Sequence, residues 1–340
     1  MREHYRRLPT RREIATLDSG MLQYGSFFFR RQDLLGAGGT ARVYKGMYAG
    51  KLVAVKEIAS TAMIPYGRAE AALLSRLRHP YVLHFYGCCA HDHHLYLVTE
   101  LCDTTLKELI ARREQRQRLA LEPALSLAMQ IAEGLSYVHE AGVVHRDLSS
   151  SNIFLSVNEA AGGAISAKIG DFGLSRRTAE ETSMTALIGT IQYMAPEMLT
   201  SAASGGRVEY SAAIDIFSFG IILWQLITCS QPYANLLGVT INRWQLLQRI
   251  ARDGLRPEVP AYAPRALVAL MTECWAAEEQ LRPASNELVR RLRLFYLEAF
   301  GAEFGERLGV TLPDPDESAA AEAAVETAEA EALSGRRSRS

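Results

Sequence analysis

His145-Arg146-Asp147-Leu148-Ser149-Ser150-Ser151-Asn152, followed nineteen residues past its asparagine by Asp171-Phe172-Gly173, is the stretch from which the rest of this 340-residue chain can be read. Asp147 is an acidic side chain able to accept a proton, and Asn152 and Asp171 carry the hard oxygen donors that magnesium prefers. Each has a plainer reading, because Asp and Asn cap helices and turns, and Asp-Phe-Gly makes an ordinary turn. Coincidence is a poor explanation for all of them in this order and spacing, beside the basic Arg146.

Upstream, Gly36-Ala37-Gly38-Gly39-Thr40-Ala41-Arg42-Val43 offers a backbone that can bring amide groups close to phosphate oxygens. A glycine-rich turn is more often only a turn, so its context decides. A dinucleotide-binding loop opens a helix. Here the chain continues into Val43-Tyr44-Lys45-Gly46 and Leu52-Val53-Ala54-Val55-Lys56, which are strand-like, so the loop joins two strands. Lys56 ends an apolar run that should be buried, where a lysine needs a partner or must snorkel out. Fourteen residues on, Glu70 precedes a helical Ala-Ala-Leu-Leu-Ser-Arg-Leu and is the candidate partner.

Bulk properties narrow the class. Apolar content of 48% with 22% charged residues fits a globular chain able to bury a full core. A net charge of −1 argues against a protein built to grip nucleic acid or acidic lipid. Charge is uneven locally: five arginines fall between Arg2 and Arg12, a second basic cluster runs from Arg112 to Arg118, and Asp314 to Glu331 has neither Lys nor Arg. Five cysteines without ligand spacing suggest a reducing, cytoplasmic compartment. The arginine-rich start lacks the apolar region of a secretory signal. The apolar run Ala212 to Cys229 contains Asp215 and is expected to be a buried helix and not a membrane span.

Periodicity gives an order of elements. Phe27 to Ile58 predicts three antiparallel strands, Ala69 to Leu77 a helix, and Leu95 to Leu101 a further strand. Leu121 to His139, and the segments around Leu223, Leu246, Leu270 and Leu288, have helical spacing. Strand-rich then helix-rich chain predicts an α+β fold of two lobes, with the junction near Glu100 to Thr104. Asn158 to Ala167 and Ser201 to Arg207 are expected to be surface loops. The expected organisation is a basic extension over 1–26, a small lobe over 27–101, a large lobe over 104–300, and an acidic, Ala-rich, disordered tail over 301–340.

From about Phe27 to Phe300 the chain resembles a eukaryotic-type protein kinase domain. The segments Asp171-Phe172-Gly173-Leu174-Ser175-Arg176, Tyr193-Met194-Ala195-Pro196-Glu197, Asp215-Ile216-Phe217-Ser218-Phe219-Gly220-Ile221, Cys274-Trp275 and Arg282-Pro283 are similar to the tyrosine-kinase-like group of serine/threonine kinases. The resemblance implies a bilobal fold, with a small antiparallel lobe holding one main helix and a larger helical lobe. It implies phosphate transfer from ATP with Mg²⁺ to protein hydroxyls. Asp147 would then be the base, Lys56 and Glu70 the pair that holds the α- and β-phosphates, and Asn152 and Asp171 the metal ligands. The same resemblance puts Leu35, Gly36 and Gly38 at the nucleotide, Val43 and Ala54 above the adenine and Phe154 beneath it. Thr99 becomes the gatekeeper, Glu100-Leu101-Cys102 the hinge, and Asp103 or Thr105 a ribose contact. Glu197 with Arg282, and Asp215, would be structural.

Two positions depart from the family pattern. Ala41 stands where the third glycine falls, and Ser149 where serine/threonine kinases usually carry a lysine. Gly189-Thr190 resembles the serine/threonine class, so that specificity is expected, with dual or tyrosine specificity, or a pseudokinase scaffold, as the alternatives. Thr182, Ser183 and Thr185 are candidate phosphorylation sites that Arg146 could pair with.

Overall fold

In the computed structural model the described residues are 21–38, 41–113, 118–158, 163–173, 191–201, 210–238 and 240–301. The chain divides into two units, Met1–Val289 and Arg290–Ser340, and of the second only Arg290–Gly301 is described, helical as far as Phe300.

The three strands expected between Phe27 and Ile58 are present as β1 (Phe27–Ala37), β2 (Arg42–Tyr48) and β3 (Lys51–Ile58). With β4 (Phe85–His91) and β5 (His94–Glu100) they form one antiparallel sheet in the order β1-β2-β3-β5-β4. Alternation along the strands divides the sheet's faces. Val53, Val55, Tyr96 and Val98 belong to a buried cluster with Phe27 and Tyr48, whereas Ala54 and Lys56 turn to the opposite side. The cluster also takes in Leu22, whose backbone N–H donates to Cys88 O at 2.7 Å, so ordered packing begins before Phe27.

Helix α1 (Ile64–Leu74) begins five residues before the expected Ala69 and ends three before Leu77. Pro65 occupies the first turn, where its missing N–H costs nothing. Arg76 and Leu77 then close on Leu73 and Leu74 with short-range bonds in place of further helix. By local propensity Pro65 and Gly67 are poor helix residues. In the fold Gly67 is where helix meets sheet, since a Cβ there would lie 2.5 Å from Ile58 and 2.7 Å from Leu95.

After Glu100 come β6 (Thr104–Thr105), α2 (Leu106–Arg113) and the long α3 (Leu121–Glu140). Strands β7 (Ile153–Asn158) and β8 (Ala164–Ile169) pair antiparallel and join β6 in a three-stranded sheet. The loop expected over Asn158 to Ala167 is therefore shorter, because Ala164 to Ala167 is strand. Of those four residues only Ile165 is a strong strand former, too little to set the segment apart from the small-residue stretch before it. Beyond lie α4 (Pro196–Ser201), α5 (Ala213–Thr228), α6 (Arg243–Arg252), α7 (Arg265–Cys274) and α8 (Ser285–Phe300). Ser201 closes α4, and the rest of the second expected loop, 202–207, lies outside the described residues.

Helix α5 is buried all round from Ile214 to Ile227, as its mostly apolar sequence demands. No helix among the described residues is long and apolar enough to cross a membrane. Arg282 meets Glu197 in a paired contact of 2.6 and 2.8 Å and also donates to Ala213 O, Ala276 O and Ala277 O. That fixes the start of α4 to the N-terminus of α5.

Candidate active site

A cavity of about 340 Å³ opens between the underside of the five-stranded sheet and the β6-β7-β8 sheet. Leu35, Gly36, Val43, Ala54, Lys56, Thr99, Glu100, Cys102 and Phe154 all line it, together with Glu70 and Asp171. Of the residues expected around the nucleotide, Gly38 alone is not in the wall; its N–H is turned back to Ala41 O at 2.9 Å. Leu101 of the expected hinge lines the cavity too, as do Leu74, Leu83 and Leu97, which no sequence signal separates from core leucines.

Gly170 has to be glycine. A Cβ there would stand 2.8 Å from the ring of Phe154 and 2.9 Å from Leu83, both in the cavity wall. Asp171, next to it, takes a positive φ of 58°, a region that Asp tolerates better than most residues and that marks functional turns.

Lys56 joins the two halves of the site. Its Nζ lies 3.0 Å from each oxygen of Glu70 and 2.9 Å from Asp171 Oδ1. Strand period places Lys56 on the cavity side of β3, and Glu70 projects from the middle of α1, which corrects the expectation that it opens the helix. Burial works to lower the Lys56 ammonium, but Asp171 and Glu70 outweigh it and hold its pKa above the ordinary value. Lys56 in turn holds Asp171 below the usual carboxylate range against the opposing effect of burial, so both groups stay charged.

The loop that bears Asp147 is held from beneath. Asp215, on α5 and fully buried, accepts from the backbone N–H groups of His145 (2.7 Å) and Arg146 (2.8 Å), and its Oδ2 also meets His139 Nε2 at 2.9 Å. Arg146 takes a φ of 68°, a strained turn that those bonds help to hold. A second tie escaped sequence reasoning: Ser150 Oγ meets Tyr193 OH at 2.8 Å, and that hydroxyl donates to Gln225 Oε1 on α5, also at 2.8 Å. Only Tyr193, inside the Tyr-Met-Ala-Pro-Glu motif, could have signalled it. The Asn152 amide N–H donates to both Asp147 O (2.8 Å) and Asp147 Oδ2 (3.0 Å). That commits its nitrogen and leaves its oxygen for a cation. Ser149 is 4% exposed.

At the junction, Glu100 is tied back: its carboxylate accepts from His84 N–H (2.6 Å) and meets Lys168 Nζ (3.0 Å), and its N–H donates to His84 O (2.9 Å). Asp103 Oδ2 accepts from Val157 N–H at 2.7 Å. Thr105 Oγ1 receives the Glu108 N–H at 3.3 Å. Both expected ribose contacts thus face the cavity with part of their hydrogen bonding already committed, and Glu108 lines the wall beside them. Burial pushes the Cys102 thiol up to about 11. At neutral pH the thiol is overwhelmingly protonated. Alkylation by iodoacetamide should therefore be slow and climb about tenfold per pH unit until the pH nears the pKa. Bound nucleotide should block it, and peptide mass spectrometry reads both.

A family model described as the protein kinase domain matches residues 29–292. The chain belongs to the protein kinase family. A probable serine/threonine-protein kinase of Dictyostelium discoideum is 34% identical over 76% of this chain and 27% of its own length. A serine/threonine/tyrosine-protein kinase of Arabidopsis thaliana is 30% identical over 84% of this chain and 69% of its own. A dual specificity protein kinase of Dictyostelium is 32% identical over 77% and 34%. The chain thus spans only about a third or less of the two Dictyostelium relatives. Kinase domains of this family use ATP to phosphorylate protein, and the small antiparallel lobe and the helical lobe seen here are that domain's architecture.

Proposed function

We propose that this chain is an active protein kinase that transfers the γ-phosphate of ATP to serine and threonine hydroxyls of proteins. The observation that carries the reading is the single cation of Lys56, within 3.0 Å of Glu70 and 2.9 Å of Asp171, in a cavity of nucleotide size. Lys56 neutralises charge on the α- and β-phosphates, and Glu70 keeps its ammonium in place. With the Glu100 N–H used by His84, the other backbone groups of Glu100-Leu101-Cys102 are the ones that would meet the adenine edge. Asp147 accepts the proton of the acceptor hydroxyl while Asn152 holds its carboxylate in one orientation.

The donor set fits magnesium: a carboxylate held ionised at Asp171 and an amide oxygen at Asn152. Among the described residues no cluster of three or more His, Cys, Asp or Glu could hold a metal by itself. Asp171 and Asn152 would be the residues that hold such an ion, with the bound nucleotide completing its oxygen ligands. When bound, it supplies neutralisation of the phosphate charge.

The relatives' names favour a second specificity. The Arabidopsis and Dictyostelium proteins named serine/threonine/tyrosine and dual specificity kinases make tyrosine an additional acceptor to test. Thr190 and the candidate phosphorylation sites Thr182, Ser183 and Thr185 lie outside the described residues. A reducing, cytoplasmic setting suits a chain with none of its five cysteines in a disulfide.

Labelled ATP with magnesium and generic protein substrates, followed by phosphoamino-acid analysis, tests the reading. Asp147-dependent phosphoserine and phosphothreonine are expected. No transfer by wild type above the level of Asp147→Asn would leave a scaffold in place of an enzyme. Ser149 is the neutral residue where the family pattern has a cation. Ser149→Lys should raise kcat by up to about tenfold, the margin of a charge-assisted over a neutral hydrogen bond. An unchanged or lower kcat would show that this site does not lack the lysine.

A further inference from the structure

Glu57 is a buried carboxylate that the chemistry above does not use. It follows Lys56 on β3 and faces the other way, its side chain 1% exposed at the edge of the aromatic cluster. Arg31 Nη1 reaches it from β1 at 2.5 Å and donates to Tyr44 OH at 2.9 Å. Tyr44 OH donates to Glu57 Oε2 at 3.3 Å, and Tyr96 OH to Oε1 at 3.4 Å. His94 Nε2 stands 4.0 Å away.

The sheet register says what this contact holds. Phe29 pairs with Gly46 and Leu34 with Tyr44, so residues 30–33 of β1 stand opposite Lys45 alone. That bulge takes β1 out of its regular ladder with β2 just before Leu35 and Gly36, which roof the cavity. Arg31 sits in the bulge and spans β2 to reach β3. The guanidinium is 62% exposed, and an ordinary pair at such exposure would count for little. This one differs because its partner is a buried charge that has no other cation so close.

We propose that Arg31, Tyr44 and Glu57 are positioning residues: a clamp on the outer face of the sheet that sets the bulged β1 strand, and with it Leu35 and Gly36, over the nucleotide. The inference rests on the nucleotide reading of the cavity. Burial works to raise the Glu57 carboxyl and Arg31 overrides it, so the clamp is an ionic one at neutral pH. Lys56 and Glu57 then form a two-residue unit anchored on both faces of β3, by Glu70 and Asp171 on one side and by the clamp on the other.

The test is Mg-ADP binding by calorimetry together with ATP KM and kcat, on the full chain. Arg31→Met and Glu57→Gln should each weaken ADP binding and raise the ATP KM about fivefold or more while kcat stays within about twofold. Arg31→Lys should recover part of the loss. The double variant should bind no worse than the weaker single, because both remove one interaction. If either variant does not fold, Tyr44→Phe and Arg31→Lys still report, each with a smaller rise in Kd. Folded variants with lowered melting temperatures but wild-type Kd and KM would make the contact merely structural and overturn the proposal. Wild type that binds no Mg-ADP would instead overturn the nucleotide reading, and the clamp with it.

Discussion

Lys56→Met folds and loses phosphate transfer, with kcat/KM lower by about 10³-fold or more, the scale of removing a preorganised charge from a reacting site. Lys56 bonds both Glu70 and Asp171, and it is 24% exposed, so methionine can fill its place without opening the core. What the variant loses is the cation. Two carboxylates then face each other and the phosphates with nothing between them, which opposes binding of a polyanion. Lys56→Arg should not rescue it, because the planar guanidinium cannot reproduce a point charge bonded at once to Glu70 and Asp171. Thermal melts confirm the fold and labelled transfer gives the rate; a variant within tenfold of wild type would remove Lys56 from the mechanism.

Asp215→Asn damages both stability and rate, although the residue touches nothing that reacts. Each carboxylate oxygen faces donors: Oδ1 the Arg146 N–H, and Oδ2 the His145 N–H and His139. An amide must set its own N–H against one of them in a buried site, so a donor meets a donor. The expected loss is about 2–4 kcal/mol of stability. At this chain size that lowers Tm by roughly 3–6 °C. Displacing the loop that carries Asp147 by about 1 Å should cost roughly 10² in kcat. Melting curves and rates measured at low temperature separate the two effects. Wild-type kcat in the folded variant would show that Asp147 is positioned without Asp215.

Ser150, Tyr193 and Gln225 show what could not be read. Their chain of hydrogen bonds holds the same loop as Asp215, yet they are 43 and 32 residues apart along the sequence. Nothing about a Gln inside an apolar helix says whom it bonds; only the packing of α5 beneath the loop decides. Pro65 and Gly67 show the opposite case. Local propensity treats them as breakers, while the fold uses the proline to start α1 and the glycine to seat it on Ile58 and Leu95. The strand Ala164 to Ile169 escaped because its alternation, Ile165, Ala167 and Ile169 against Ser166 and Lys168, is short and merges with the small-residue stretch before it, and pairing with β7 makes it a strand.

The sequence by itself determined the family and the α+β order of elements and singled out Lys56, Glu70, Asp147, Asn152 and Asp171 as candidates, because motif spacing and hydrophobic period are local properties of the chain. Tertiary structure alone decided that Lys56 and Asp171, 115 residues apart, share a hydrogen bond, and that Glu57 is buried. Register and helix packing set those contacts. Each depends on a close approach between distant segments, which no short window of residues encodes.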